Sequence, residues 1–245
     1  MRIGVIPDTQ CRQGVSLDYL SHIGQYFAIK QPDILLHLGD HADMPALSSY
    51  DKGKACFSGR RYIKDVDAAR RGMDALMTPI RKARGYKPRQ VFCLGNHEER
   101  INRAANDQEE LEGLVSVNDL RYADYGWKVY PFLEVVMISG IAFSHYFTSG
   151  ALGRPITSAR ALLTKKHSSA IAGHQQILDI ATSVRADGKM ITGVICGAAY
   201  PHKESYLGPQ GNLHYRGVLT LNDVRPGGEF ELMPVTLRYL RKRFG

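Results

Sequence analysis

A chain of 245 residues with 44% hydrophobic and 23% charged residues has an ordinary globular composition. It is long enough to bury a sizeable core without disulfides or a structural metal, which excludes intrinsic disorder, a coiled coil and a disulfide scaffold. Its unusual feature is charge: 32 Lys and Arg against 24 Asp and Glu leave a net +8 and a pI near 9.3. That excess suits polyanions, whether nucleic acid, phosphorylated small molecules or an acidic membrane face.

Cys11, Cys56, Cys93 and Cys196 are widely spaced, with no C-x-x-C pair. Cys93 and Cys196 lie in apolar runs, where a reduced cysteine behaves as a small hydrophobe, and an intracellular, reducing compartment is expected. No apolar stretch reaches the ~20 residues of a membrane helix. The first six residues run into a polar turn without a signal-peptide core, so the expected location is cytoplasmic.

Residues 3–6 form a short apolar run suited to a buried strand. Leu17, Leu20, Ile23 and Phe27 then recur at helical spacing, predicting an amphipathic helix. Residues 34–38 read as a second strand, followed by a polar, glycine-containing loop and a long helical pattern carrying Ile63, Val66, Met73, Met77 and Ile80. Residues 91–94 read as a third strand, with a polar helix beginning near Glu98. This order predicts a parallel or mixed sheet covered by helices. In the second half, strands are predicted at residues 135–138, 141–144, 170–172, 191–195, 217–221 and 230–235, interrupted by a helix near 159–166. No repeat, low-complexity tract or linker breaks the chain, so residues 1–245 are expected to form one domain of two facing sheets with helices outside.

Five of the apolar runs end on residues of metal-ligating type. They lead into Asp8-Thr9-Gln10, Gly39-Asp40-His41-Ala42-Asp43, Gly95-Asn96-His97-Glu98, His145-Tyr146 and Gly173-His174-Gln175-Gln176. Functional groups in open α/β sheets gather beyond the carboxyl ends of strands. Each residue alone has a plain explanation: Asp8 opening a turn, Asp40 capping a helix, His145 hydrogen-bonded in the structure. Chance rarely places such groups after five strands, and oxygen and imidazole ligands without thiolates favour Mn²⁺, Mg²⁺, Fe or Zn²⁺.

These blocks, in this order, resemble the D-x-H, G-D-x-x-D, G-N-H-[ED], H and G-H-x-H blocks of the calcineurin-like metallophosphoesterases, over Asp8 to Gln176. The resemblance implies an α/β (α+β) fold, a four-layer αββα sandwich of two mixed sheets with a two-metal centre at the strand ends. It assigns one metal to Asp8, Gln10, Asp40 and Gln176, and the second to Asp40, Asn96, His145 and His174. Asp40, Asn96 and His97 are the implied catalytic residues. His97 would polarise the phosphate or protonate the leaving oxygen, while Asp43 and Glu98 orient these groups from behind. In such a site a hydroxide bridging two divalent ions attacks phosphorus in line.

Gln10 and Gln176 depart from the family pattern, replacing histidines at the same implied metal position. A glutamine ligates through a neutral, weaker and harder donor. The first site is therefore expected to be weaker and to favour Mn²⁺ or Mg²⁺ over Zn²⁺ or Fe.

Basic residues cluster at Lys52, Lys54, Arg60 and Arg61, at residues 81–89, and at Arg238, Arg241, Lys242 and Arg243. Cations at a helix C-terminus also complement its dipole, and a basic end also serves as a solvated tail. The loop at residues 49–62 interleaves Tyr50, Phe57 and Tyr62 with its cations, a mixture suited to base stacking and backbone contact in single-stranded nucleic acid. A similar mixture surrounds residues 200–206 and 214–216. The candidate substrate contacts are Arg60, Arg61, Arg100, Arg103, His202 and Tyr206. The sequence thus reads as a metal-dependent phosphodiesterase or nuclease with DNA, RNA or a nucleotide as substrate and no membrane partner, resembling nuclease-type or phage-borne members. A phosphomonoesterase is the first alternative, although Met44 stands where serine/threonine phosphatases carry an arginine after G-D-x-x-D. A binding module of weak catalysis is the second, favoured by Gln10 and Gln176 and opposed by the other retained ligands.

Overall fold

Strands that are apolar on both faces set the architecture. In the computed structural model, which describes residues 1–204 and 208–245, β1 (Ile3–Ile6) sends Ile3 and Val5 into one hydrophobic cluster and Ile6 into another. β2 (Ile34–His37) divides Ile34 and Leu36 from Leu35 in the same way, and β3 (Arg89–Cys93) divides Val91 and Cys93 from Phe92. Side chains alternate across a strand, so such runs fit only a sheet covered on both sides.

The coverings lie between the strands in sequence. α1 (Asp18–Lys30) connects β1 to β2, α2 (Tyr62–Lys82) connects β2 to β3, and α3 (Glu99–Asp107) precedes β4 (Lys128–Tyr130). β5 (Val136–Ile138) and β6 (Ile141–Ser144) form a hairpin, followed by the short pair β7 (Thr148–Ser149) and β8 (Arg154–Pro155). Then come α4 (Ala159–Lys166), β9 (Ser169–Ala172), β10 (Leu178–Val184), β11 (Met190–Cys196) and a single turn, α5 (Gly208–Gly211). β12 (Gly217–Asn222), β13 (Glu231–Thr236) and α6 (Leu237–Phe244) complete the order.

Six strands pair in the order β13-β12-β1-β2-β3-β4 and five in the order β10-β11-β9-β6-β5. Both sheets are mixed: β1 to β4 are parallel and β6, β9 and β11 are parallel, with antiparallel strands at the remaining pairings. Ile3, Leu36, Val91, Phe143, Ile171 and Val194 fill the space between the sheets. Leu20, Phe27, Met73, Leu76 and Leu240 pack the helices onto the six-stranded sheet, and Leu162 packs α4 against Ala170 and Ile195 of the other. The result is the expected four-layer αββα sandwich.

Strands β4 and β10 and helix α6 were not expected from the sequence. β10 is an edge strand whose side chains are mostly half-buried or exposed, so it carries no periodic signal. In α6 the Thr236 hydroxyl accepts from the Tyr239 amide at 3.2 Å, and Leu237 and Leu240 are buried. Arg241, Lys242 and Arg243 occupy its last turn, as Arg81 and Lys82 occupy that of α2, where they complement the helix dipoles. Ile63, expected on the apolar face of α2, is exposed. Among the described residues no helix is long and apolar enough to cross a membrane.

Gly24 sets how closely α1 and α2 approach. A Cβ at this position would lie 2.2 Å from the Leu76 carbonyl oxygen, a backbone atom that cannot swing away. Gly24→Ala is therefore expected to destabilise the fold by about 1–3 kcal/mol, the usual cost of overpacking. Urea unfolding measures it, and an unchanged midpoint would contradict this packing.

Candidate metal centre and cleft

The carboxyl ends of β1, β2, β3, β6 and β9 carry the five polar blocks, and their backbones are bent sharply to do so. Gln10, Asp40, Met44, His174 and Gln176 all adopt left-handed φ angles, of 43°, 50°, 49°, 65° and 59°. Non-glycine residues in this region carry strain that surrounding contacts must overcome, and such strain concentrates at functional sites. Glycine is required where the loops touch. A Cβ on Gly39, whose φ is 94°, would lie 2.4 Å from the Gly95 nitrogen, and one on Gly95 would lie 2.1 Å from Asp40 Oδ1.

Glu98 joins these two loops. Fully buried, its carboxylate accepts from the backbone amides of Asp40 and Gly95 on Oε2, both at 2.9 Å. Its Oε1 accepts from the amides of His41 (2.8 Å) and Ala42 (2.9 Å) and from the Tyr122 hydroxyl (3.1 Å). Burial and the Asp40 charge push the Glu98 carboxyl up from its ordinary range, and the amide donors oppose them.

Asp40, His145 and His174 offer ligand atoms that all lie within 4.8 Å of one another. His145 Nδ1 lies 2.7 Å from the Leu38 carbonyl oxygen and must donate to it, which leaves Nε2 as the ring nitrogen able to ligate. Yet Nε2 faces two further oxygens, Asn96 Oδ1 at 2.8 Å and Asp40 Oδ2 at 3.4 Å. Lone pairs converging in this way fit a cation among them. Burial, with His145 beside it, lowers His174 to about 4, so its ring is neutral and free to ligate.

The second group of expected ligands is looser. Asp8 Oδ1 accepts from the His174 amide at 3.1 Å, while Asp8 Oδ2 and both polar atoms of the Gln10 side chain are buried without a hydrogen-bond partner among the described residues. Burial and the Asp40 charge raise Asp8 to about 6. Burial also works against ionised Asp40, but His145 and His97 outweigh it and hold that carboxyl at about 2. A divalent ion between the two would let both ionise. Gln176 Oε1 accepts from the Tyr200 hydroxyl at 2.7 Å, which leaves that oxygen one further lone pair.

His97 stands beside this group. Its backbone amide donates to Asp40 Oδ1 at 2.9 Å, its Nε2 lies 3.7 Å from Asp40 Oδ2, and its Nδ1 lies 3.0 Å from Asp43 Oδ1. Burial disfavours its charge, but Asp40 and Asp43 outweigh burial and raise its pKa above the ordinary histidine value. Arg12 braces Asp43 from behind, with Nη1 at 3.4 Å from Asp43 Oδ2 and 3.0 Å from Glu204 Oε2.

A cleft of about 770 Å³ opens from Asn96 and His174. Arg100, Arg103, Ala104 and Asp107 of α3 line it, with Tyr50, Lys52 and Phe57 from the loop after β2 and Phe132 and Tyr146 from the segments flanking β5 and β6. Of the expected substrate contacts, Arg100 and Arg103 line this cleft. Arg100 Nη1 also donates to the Asp43 carbonyl at 2.8 Å, and Arg103 Nη2 to the Asn96 carbonyl at 3.0 Å. Arg60, Arg61 and His202 are not among its lining residues. Arg60 pairs with Asp51 at 2.8 Å, Arg61 donates to the Arg60 carbonyl, and His202 stacks on Tyr200 beside Glu204. Tyr206 lies outside the described residues.

The family model for calcineurin-like phosphoesterases matches residues 1–177, a span that holds all five blocks. The chain belongs to the calcineurin-like phosphoesterase family. It is a metal-dependent hydrolase of phosphate esters, of a family whose members carry divalent ions at a dimetal site. No curated protein is significantly similar to it. Among solved structures it is similar to a predicted phosphoesterase from Streptococcus pneumoniae TIGR4, at 11% identity and a TM-score of 0.40, over 97% of this chain and 90% of that one. It is also similar to a dimetal phosphatase from Danio rerio, at 12% identity and a TM-score of 0.43, over 96% and 98%. Membership rests on the sequence match, not on these distant likenesses.

The residues present fit the ions that a calcineurin-like phosphoesterase requires. Asp40, Asn96, His145 and His174 are suited to hold one ion, and Asp8 and Gln10, with their unpartnered buried atoms, to hold a second beside it. Several supporting residues carried no motif signal. Thr9 Oγ1 lies 2.8 Å from His41 Nδ1 and 3.2 Å from His37 Nε2, a buried polar knot behind the blocks. Arg12, Tyr122, Tyr146 and Tyr200 likewise act through contacts between segments far apart in sequence.

Replacing Glu98 by Gln keeps its shape but turns an amide donor toward backbone donors. Glu98→Gln is expected to cost at least about 2 kcal/mol, as for a buried, charge-assisted acceptor. It is also expected to weaken metal binding at Asp40 in calorimetric titration. Unchanged stability together with unchanged metal affinity would contradict the joining role.

Proposed function

We propose that this phosphoesterase hydrolyses phosphodiesters, with nucleic acid or nucleotides as its substrates. The observation that carries the reading is the cleft: it runs from Asn96 and His174 along α3, with Lys52, Arg100 and Arg103 among aromatic residues. A single phosphate leaves most of that volume unfilled, whereas a chain continuing past the cut ester uses its cations and rings.

Divalent ions, which Asp40, Asn96, His145 and His174 on one side and Asp8 and Gln10 on the other would hold, would supply Lewis-acid activation of water and of the phosphate. His97, fixed by Asp43 and kept protonated beyond the ordinary histidine range, then gives its proton to the leaving oxygen, and Asn96 helps to meet charge developing at phosphorus. A poor alkoxide leaving group gains most from that proton. His97→Ala is expected to lower turnover of alkyl esters by about 10²–10⁴-fold and that of nitrophenyl esters far less; equal losses on both would rule out the acid role.

The metal preference follows from the glutamines. Gln10 and Gln176 offer neutral amides where the family carries histidines, and Gln176 shares its oxygen with the Tyr200 hydroxyl, so the site at Asp8 is the weaker and favours Mn²⁺ or Mg²⁺. Calorimetry should resolve a tight and a weak Mn²⁺ event; two equally tight Zn²⁺ ions would overturn this assignment.

Turnover of a phosphodiester, a phosphomonoester and a labelled oligonucleotide with Mn²⁺, beside an Asp40→Asn control, tests the substrate class. Diester and oligonucleotide cleavage lost in the control is the expected result, with oligonucleotide binding that falls steeply as salt rises. Cleavage confined to monoesters would replace the reading with a phosphatase, and no metal-dependent turnover would leave a binding module.

A further inference from the structure

We propose that Tyr146 is the stacking surface for a nucleobase carried next to the scissile phosphate, which makes it a specificity-determining residue of the cleft. Tyr146 directly follows His145, so its ring is fixed at the edge of the metal centre. Its centroid lies 4.7 Å from that of His174 and 5.7 Å from that of His145, and Phe132 packs edge-on against it at 5.5 Å and 81°. Three rings thus hold a fourth in place while the residue, half-buried, lines the cleft with Asn96, Arg103 and His174. Among the described residues the Tyr146 hydroxyl has no hydrogen-bond partner, so polar contacts do not account for the ring's position; packing does.

Position decides the ligand class. A phosphate held at Asn96 and His174 puts the group esterified to it one sugar away, within the part of the cleft that Tyr146 and Phe132 line. A planar ring stacks on an aromatic face whatever its sequence identity, and Arg103, whose guanidinium is fixed to the Asn96 carbonyl, offers a cation to the backbone beside it. Across the cleft, Tyr50 is 80% exposed at the rim with Lys52 and Phe57, a further aromatic and cationic surface for the next unit of a chain. An aliphatic phosphate ester gains nothing from these rings.

The inference rests on the nucleotide reading above, and binding separates the two. Equilibrium binding of adenosine 5′-monophosphate and of ribose 5-phosphate to the Mn²⁺-loaded protein isolates the contribution of the base. The expected result is that adenosine 5′-monophosphate binds about tenfold more tightly, within the range for stacking on one ring. Tyr146→Phe should keep that ratio. Tyr146→Leu, which fills similar space without a π face, should bring it below about twofold while the ribose 5-phosphate affinity stays unchanged. The unchanged affinity shows that the metal centre next door is intact. No preference for the base in the wild type, or a preference that survives Tyr146→Leu, would overturn the inference. If Tyr146→Leu also weakens ribose 5-phosphate, Tyr146→Met, whose longer side chain keeps more of the packing on His174, takes its place: loss of the base preference supports the stacking ring, and its retention overturns it. Diester turnover without a base preference would leave the phosphodiesterase reading standing and remove this one; a base preference without diester turnover would do the reverse.

Discussion

Two strand-end loops come within touching distance here only because the backbone amides they bury find a common acceptor. Glu98 is that acceptor: four amides and one phenol converge on its carboxylate from the loops after β2 and β3 and from Tyr122. It fixes the backbone carrying Asp40 against the backbone carrying Asn96. With it, the Gly39–Gly95 contact closes, the left-handed turn at Asp40 is held, and the Asp40 carboxylate accepts from the His97 amide. Stored backbone strain and buried charge are both tolerated because one anion satisfies so many donors.

Much of the fold was legible because its strands are short apolar runs covered on both faces and its long helices have one buried stripe. Val66, Met73, Met77 and Ile80 of α2 are buried as the periodicity requires. The elements that escaped notice are those whose burial is partial. β10 has one strand neighbour and only partly buried side chains, so its burial leaves no clear pattern along Leu178 to Val184, and α6 buries only Leu237 and Leu240 among its cations. The site was legible at the motif residues, because each follows a strand directly. Its supports were not, since Arg12 with Glu204, Tyr200 with Gln176, and Tyr146 with His174 are pairs that only the folded chain creates.

The basic composition resolves into separate parts. Arg81 and Lys82 of α2 and Arg241, Lys242 and Arg243 of α6 sit in the last turns of their helices, where they answer the dipoles, and Arg60 answers Asp51 within its own loop. Lys52, Arg100 and Arg103 remain at the cleft. The net charge is thus a poor guide to the substrate, and these three positions, with the rings between them, are a better one.

The chemistry of this centre depends on cations gathering where lone pairs converge. Anomalous diffraction from Mn²⁺-soaked crystals tests that directly. A strong peak among Asp40, Asn96, His145 and His174, with a second, weaker peak beside Asp8 and Gln10, is the predicted result. Ordered crystals with no peak at the first position, or with Mn²⁺ bound only elsewhere on the surface, would contradict it.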